Sequence, residues 1–152
     1  MPQRPRSKGT RQRRWNLASE PPLETTEAAR VAAYAPVIGR VLLGLVFAWF
    51  GYHELVQPHL WTGYVPMISS TSTLALAAVL AHGWVLLVVA AALVLGIAPR
   101  LAAGIGVLVM LEVVLALVAA HGLSDVSMRD VGVLGLALAL AGQRHQRLAL
   151  TK

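Results

Sequence analysis

The stretch that decides the fold is residues 40–66, RVLLGLVFAWFGYHELVQPHLWTGYVP. Its first half is apolar enough to cross a bilayer, and its second half is an aromatic segment interrupted by Pro58. Between the halves lies Gly-Tyr-His-Glu, residues 51–54, where polar side chains meet the predicted membrane edge. The chain that follows repeats this pattern of apolar segments with few ionisable residues.

The composition predicts an integral membrane protein. Of the 152 residues, 57% are hydrophobic and only 13% are charged, which is too little polar surface to cover a soluble domain of this size. Between residues 41 and 98 the only formal charge is that of Glu54. Long uncharged apolar segments of this kind are typical of transmembrane helices.

Charge and cysteine content exclude several classes of function. The net charge of +6 does not indicate a nucleic-acid partner, because the basic residues flank apolar segments, where they have a topological role. The chain has no cysteine, so thiolate metal ligands, iron–sulfur clusters and cysteine nucleophiles are excluded. Any chemistry must use His, Asp, Glu, Ser or Tyr.

The apolar segments predict an all-α bundle of four transmembrane helices, at about residues 37–56, 74–97, 101–120 and 131–142. The last has only about 12 residues, or roughly 18 Å of helix, so it either begins deeper or continues through residues 143–147. We expect Asp130 to cap it. The domain plan is a basic disordered tail with a juxtamembrane helix (1–35), the transmembrane domain (36–147) and a C-terminal tail (148–152).

Orientation follows from the basic residues. With four spans, twelve of the thirteen Lys and Arg residues fall on one side and only Arg129 on the other. The positive-inside rule then places both termini in the cytoplasm of a multi-pass plasma membrane protein in contact with lipid. Small residues at helical spacing predict close packing of the first and last spans (Gly44, Ala48 and Gly51; Gly132, Gly135, Ala139 and Gly142).

Two ionisable residues are predicted to lie near the middle of the membrane. Helical rise places His82 about 12 Å below Leu74, and Glu112 about 17 Å above Leu101. An ionised carboxylate is costly at that depth, so Glu112 should be paired or protonated. The two residues can meet if the second and third helices are neighbours. They are then either a proton-handling pair or an inter-helix hydrogen bond that only stabilises the bundle.

The remaining polar residues collect at the predicted outer edge. His53, Glu54, Arg129 and Asp130 lie there, and the spacing of the histidines matches no diagnostic zinc pattern, so no metal site is predicted. Haem is disfavoured because His82 is the only deep histidine. Arg129-Asp130 is most simply a helix cap and interface anchor, with a site shared with Glu54 as the alternative. The nearby aromatic residues fit an interfacial belt better than a ligand cage.

Several segments resemble the DoxX family of small four-span bacterial and archaeal membrane proteins. They are Arg40-Val-Leu-Leu-Gly44 with Phe47 and Gly51, Pro58 with Trp61-Thr-Gly-Tyr-Val-Pro66, Arg100-Leu-Ala-Ala-Gly104, and Arg129-Asp130-Val-Gly-Val-Leu-Gly135. The resemblance covers about residues 37–142. Many family members have a Lys where this chain has Glu54, which reverses the local charge.

The resemblance implies a membrane component of a redox system. DoxX-like proteins are associated with quinone-linked oxidoreductases and with partners that handle sulfur or oxidative stress. We therefore expect an accessory subunit of a respiratory assembly in a bacterial or archaeal membrane, not catalytic alone, with other membrane subunits as partners. In this hypothesis Glu112 and His82 handle protons, and a quinone pocket draws on Arg40, His53, Glu54 and Asp130.

Two other classes of function stay open. One is a small-solute transporter, although four short spans offer little interior for a substrate path and no broken helices occur in paired halves. The other is a purely structural subunit that packs against other helices. A partner that co-purifies in stoichiometric amount favours the redox subunit, whereas a lone homo-oligomer favours transport.

Overall fold

The computed structural model describes residues 23–143 and residue 150, with side chains from residue 27 onward. The predicted basic tail before residue 23 and the C-terminal residues Arg144, Arg147 and Lys152 lie outside the described residues. Packing divides the chain into two units, 1–34 and 35–152. The described part of the first unit is the start of a helix, and the helix packing and the cavity described below belong to the second unit.

Four helices account for nearly all the regular structure of the described residues. They are α1 (Leu23–Val56), α2 (Thr73–Leu95), α3 (Pro99–His121) and α4 (Asp125–Ala141). Two short 3₁₀ turns, Pro58–Leu60 and Thr62–Tyr64, lie between α1 and α2. The all-α prediction is confirmed for this part of the chain, and the predicted bounds of the second and third helices hold to within two residues.

Local sequence explains where the helices begin and end. The Ser72 hydroxyl accepts a hydrogen bond from the backbone N–H of Leu74 at the start of α2. At the end of α2, Gly96 takes a left-handed conformation with φ of 74°, which glycine adopts without strain. Pro99 then stands in the first turn of α3, where its missing N–H costs nothing.

The start of α4 differs from the prediction. Ser124 caps this helix, because its hydroxyl accepts from the N–H of Ser127 while the Ser127 hydroxyl accepts from the N–H of Ser124. Asp130 is therefore not the cap; it lies in the second turn and is 6% exposed. The helix begins at Asp125, six residues before the predicted span, so it has 17 residues instead of the predicted 12 or so.

The start of α1 also differs from the prediction. A separate juxtamembrane helix was expected before the first span, but the structure has one helix from Leu23 to Val56 with Pro36 inside it. Pro36 has no backbone N–H, so the helix lacks one backbone hydrogen bond at this point.

Close contacts between glycines set the packing of α1 on α2. A Cβ atom added at Gly51 would lie 2.8 Å from the carbonyl oxygen of Gly83, and one added at Gly44 would lie 3.1 Å from that of Ala90. Contacts that pair increasing residue numbers in α1 with decreasing ones in α2 make the two helices antiparallel. The predicted role of Gly44 and Gly51 in close packing is confirmed.

The centre of the bundle is filled by Phe47. Its side chain is fully buried, and its ring lies 2.8 Å from where a Cβ atom of Gly106 in α3 would stand. Gly39 in α1 faces Leu136 and Leu140 of α4. The small-residue stripe predicted on α4 does not pack against the other helices of this chain, because a Cβ atom at Gly132 or Gly135 would meet no described atom within 4 Å.

Three helices are long and apolar enough to cross a membrane. These candidate spans are Glu27–Val56, Thr73–Leu95 and Pro99–His121. Large apolar side chains cover their outer faces, among them Leu42, Trp84 and Leu108, each more than half exposed. An apolar exterior of this kind fits a multi-pass protein whose solvent is lipid. Helix α4 has 17 residues, or about 26 Å of helix.

The ends of α1 and α2 are offset. Glu54, two residues before the end of α1, pairs with His82, nine residues inside α2. Helix α2 therefore continues about 10 Å beyond the level at which α1 ends. Residues 57–72, which include both 3₁₀ turns, occupy the space beside these extra turns, and we call this region the aromatic end of the bundle.

Candidate functional site

A cavity of about 380 Å³ lies between the four helices and the segment 57–72. Its size is at the lower end of that found for small-molecule sites. Most of its wall is aliphatic or aromatic, and it contains five ionisable side chains drawn from all four helices. These are Glu54 in α1, His82 in α2, Glu112 in α3, and Arg129 and Asp130 in α4.

The strongest polar contact in the cavity joins α1 to α2. Nδ1 of His82 lies 2.7 Å from Oε2 of Glu54, the distance of a charge-assisted hydrogen bond. The Glu54 side chain is 8% exposed and that of His82 is 22% exposed. A carboxylate held against Nδ1 fixes the ring and its tautomer, which leaves Nε2 as the atom that can exchange a proton.

Glycines make this contact geometrically accessible. Gly83, next to His82, has so little space that an added Cβ atom would stand 3.1 Å from Cβ of Glu54 and 3.1 Å from the Gly51 carbonyl oxygen. The two backbones approach closely only because both positions lack a side chain. Residues 51 and 83 therefore position the pair that residues 54 and 82 form.

Glu112 stands on the opposite side of the imidazole ring. Its Oε2 lies 3.8 Å from Nε2 of His82, too far for a hydrogen bond but close enough for electrostatic attraction. Within the described residues, Nε2 is buried and makes no hydrogen bond. The Glu112 side chain is 62% exposed, so it connects the buried ring to the surface of the bundle.

A second polar group lies on α4. Nε of Arg129 donates to Oδ1 of Asp130 at 2.9 Å, and the Asp130 side chain is 8% exposed while that of Arg129 is 57% exposed. The guanidinium carbon stands 5.8 Å from the centre of the Phe50 ring, within the range of a cation–π contact. Phe50 precedes Glu54 by one helical turn, so both face the cavity from the same side of α1.

Aromatic side chains close the cavity at the aromatic end. Trp61 packs edge-on against Phe50 with ring centres 5.8 Å apart, and Tyr64 lies 5.9 Å from the ring of His121 at the end of α3. The Thr62 side chain, which is buried, donates from its hydroxyl to the His59 carbonyl and holds the turn. The rings expected to form an interfacial belt are thus partly cavity wall.

The structure brings together four of the six residues singled out from sequence. His82, Glu112, Glu54 and Asp130 all line the cavity. Glu54 was expected at the outer edge, apart from the deep pair, but it is the residue to which His82 is bonded. The sequence could not show this, because the offset between the ends of α1 and α2 is not visible in their lengths.

Arg40 and His53 do not line this cavity. Arg40 is 14 residues before Glu54, about 21 Å along α1, and its side chain is buried among the helices at that level. His53 donates from Nδ1 to the Trp49 carbonyl at 2.8 Å, and its ring lies against that of Trp49, whose side chain is exposed. The quinone pocket predicted from Arg40, His53, Glu54 and Asp130 stays a prediction, and of these four residues only Glu54 and Asp130 line this cavity.

The sequence offered too little indication that Phe50, Trp61 and Arg129 line the cavity. A usable signal existed for Phe50, since it stands at i−4 from Glu54 and must share its helical face. No comparable signal existed for Trp61, which reaches the cavity only through the fold of segment 57–72. Among the described residues, no group of three or more His, Asp and Glu side chains is arranged to hold a metal ion.

No family model, curated protein or solved structure matches this chain. The resemblance to the DoxX family therefore stays a prediction. What the fold and the cavity define is a class: an all-helical protein with three helices suited to crossing a membrane and a largely apolar cavity that contains a histidine between two carboxylates.

Proposed function

We propose that this protein is an accessory membrane subunit of a quinone-linked oxidoreductase, and that the cavity binds the ring of a quinone or quinol. In this proposal α4 is a fourth membrane span, both termini lie in the cytoplasm, and the membrane is a bacterial or archaeal plasma membrane. The observation that carries it is the His82–Glu54 hydrogen bond inside an apolar cavity, with Nε2 of His82 left to meet a ligand.

The chemistry of the pair suits a proton-coupled ligand. When Glu54 holds Nδ1–H, Nε2 of the neutral ring accepts a hydrogen bond from a quinol hydroxyl. After the ring takes up that proton, Nε2–H donates to the carbonyl oxygen of the quinone. The resulting imidazolium lies between two carboxylates, Glu54 at 2.7 Å and Glu112 at 3.8 Å, which stabilise its charge.

Oxidation of a quinol releases two electrons and two protons. In this proposal the electrons pass to a redox group of a partner subunit, and His82 accepts one proton at Nε2. The other proton leaves from the second hydroxyl group of the ring. Glu112 then accepts this proton, because its carboxylate oxygen lies 3.8 Å from Nε2 of His82.

The aromatic part of the cavity wall also suits the flat ring of a quinone. Phe50 and Trp61 offer flat apolar surfaces, and aromatic rings pack favourably edge-on or offset against one another. A quinone carries a long apolar tail, and the lipid-compatible exterior of the bundle gives such a tail a suitable environment. A strongly hydrated solute would have none of these advantages.

Binding of menadione (2-methyl-1,4-naphthoquinone) to the purified full-length protein in detergent tests the proposal. The absence of cysteine removes thiol addition as a side reaction. Menadione should bind at one site, and His82→Gln should weaken binding about tenfold or more, as expected for loss of a charged hydrogen bond. The matched control is His59→Gln, since His59 is exposed and lies outside the cavity.

Two results would contradict the proposal. One is no saturable menadione binding by the wild-type protein. The other is equal weakening by His82→Gln and His59→Gln, which would show that histidine content and not this cavity matters. Proton-coupled uptake of a polar solute by the protein alone in liposomes, without menadione binding, would move the transporter alternative to the front.

A further inference from the structure

The cavity contains two donor groups built on the same plan. His82 is held by Glu54 at 2.7 Å, and Arg129 is held by Asp130 at 2.9 Å. In each pair the carboxylate is almost buried, with its side chain 8% exposed, and the donor is the more exposed partner. A carboxylate behind a donor fixes the donor's direction and strengthens its hydrogen bond to a third group.

Both pairs line the same cavity. Phe50 and Glu54 are one turn apart on α1, which puts their Cβ atoms about 6 Å from each other. The Arg129 guanidinium stands against the Phe50 ring, and Nε2 of His82 stands beyond Glu54. Both donors therefore belong to one cavity, and Phe50 and Trp61 form an aromatic part of its wall.

We infer that Arg129 is a second ligand-binding residue, and that the cavity selects a planar ring bearing two hydrogen-bond acceptor oxygens at opposite positions. His82 meets one oxygen and Arg129 meets the other, while Asp130 orients the guanidinium. An arginine carries five N–H donors, so the Nε–H that Asp130 accepts leaves the terminal nitrogens to contact a ligand. This inference rests on the proposed quinone site and specifies its selectivity.

The arrangement also explains why an acidic residue adjoins Arg129. An arginine alone at a cavity mouth would attract any anion from solution. Because Asp130 offsets the guanidinium charge, the pair favours a neutral acceptor such as a carbonyl oxygen over an anion. Together the two pairs give a ligand site with directed donors and little net charge.

The role of Arg129 is tested with two ligands that differ in their number of carbonyl groups and with two arginine variants, one inside and one outside the cavity. Menadione has two ring carbonyls, and 2-methyl-1-tetralone has the same two-ring frame with one. We expect Arg129→Gln to weaken menadione binding about tenfold or more and to change tetralone binding less than about twofold. Arg100→Gln serves as the control, since Arg100 is exposed at the start of α3 and outside the cavity.

A second variant separates the effect of the positive charge of Arg129 from the effect of its planar guanidinium group. Arg129→Lys keeps the charge but not the planar fork, so it should retain only part of the selectivity for the dicarbonyl. Equal weakening of both ligands by Arg129→Gln would overturn this inference and leave the quinone proposal standing. Failure of both ligands to bind the wild-type protein would overturn the quinone proposal and this inference with it.

Discussion

Replacing Gly51 by alanine should separate α1 from α2 and break the His82–Glu54 contact. The new Cβ atom would lie 2.8 Å from the Gly83 carbonyl oxygen, 3.0 Å from Cβ of Leu86 and 3.1 Å from Cγ of Leu87. The nearest of these atoms belongs to helix backbone, which cannot rotate away as a side chain can. The strain must therefore be relieved by moving one helix.

The size of the movement follows from the distances. Ordinary contact begins at 3.4 Å, so the helices must part by about 0.6 Å at this level. Glu54 is one turn further along α1, and the same displacement would lengthen its 2.7 Å contact with His82 to about 3.3 Å. That is beyond the range of a good hydrogen bond. Overpacking of this kind costs roughly 1–3 kcal/mol of folding stability.

The assay combines unfolding with ligand binding. Unfolding of the purified protein by SDS in mixed micelles, followed by circular dichroism, should occur at a lower SDS fraction for Gly51→Ala than for wild type. Its menadione affinity should fall together with its stability. The control is Gly104→Ala, because a Cβ atom at Gly104 would meet no described atom within 4 Å, and alanine favours the helix by up to about 1 kcal/mol.

The reasoning would be refuted if Gly51→Ala and Gly104→Ala were equally stable and bound menadione equally well. In that case the close approach of α1 and α2 would not set the geometry of the pair. Loss of stability without loss of affinity would refute only the link from Gly51 to the ligand site.

Three further substitutions test separate parts of the fold. Ser124→Ala removes the cap that accepts from Ser127 and should cost about 1 kcal/mol in the SDS titration; no change would argue against this start of α4. Gly106→Ala brings a Cβ atom to 2.8 Å from the buried ring of Phe47 and should cost roughly 1–3 kcal/mol by the same titration; an unaltered midpoint would mean that the ring can move. Trp61→Ala removes part of the cavity wall and should weaken menadione binding several-fold with little change in unfolding, whereas unchanged affinity would place the ligand elsewhere.

The sequence predicted the positions of the helices along the chain better than it predicted how the helices are offset against one another. Apolar runs located α2 and α3 to within two residues, because the length of an apolar run can be read locally from the sequence. Helical rise also placed His82 and Glu112 at similar depths, and the structure brings them to 3.8 Å. Depth along a helix is a local quantity, and so it could be worked out without the fold.

The position of Glu54 could not be worked out in that way. It depends on how far α1 stops short of α2, and that is decided by the folding of segment 57–72 and by the glycine contacts between the helices. Arg40 was grouped with it by chemistry alone, although about 21 Å of helix separates the two. Asp130 was taken for a cap because it directly precedes the apolar run 131–142, which was predicted to be the fourth span; the helix in fact begins earlier, and Ser124 caps it.

The most direct test of the central claim is the ¹⁵N NMR signal of the His82 ring in the full-length protein, assigned by comparison with His82→Gln. The account predicts an Nδ1 signal typical of a strong hydrogen bond, lost in Glu54→Gln, and an Nε2 signal that shifts when menadione is added. His53 and His59, which lie outside the cavity, should not respond to the ligand. An Nε2 signal unmoved at saturating menadione, or an Nδ1 signal indifferent to Glu54→Gln, would contradict the account.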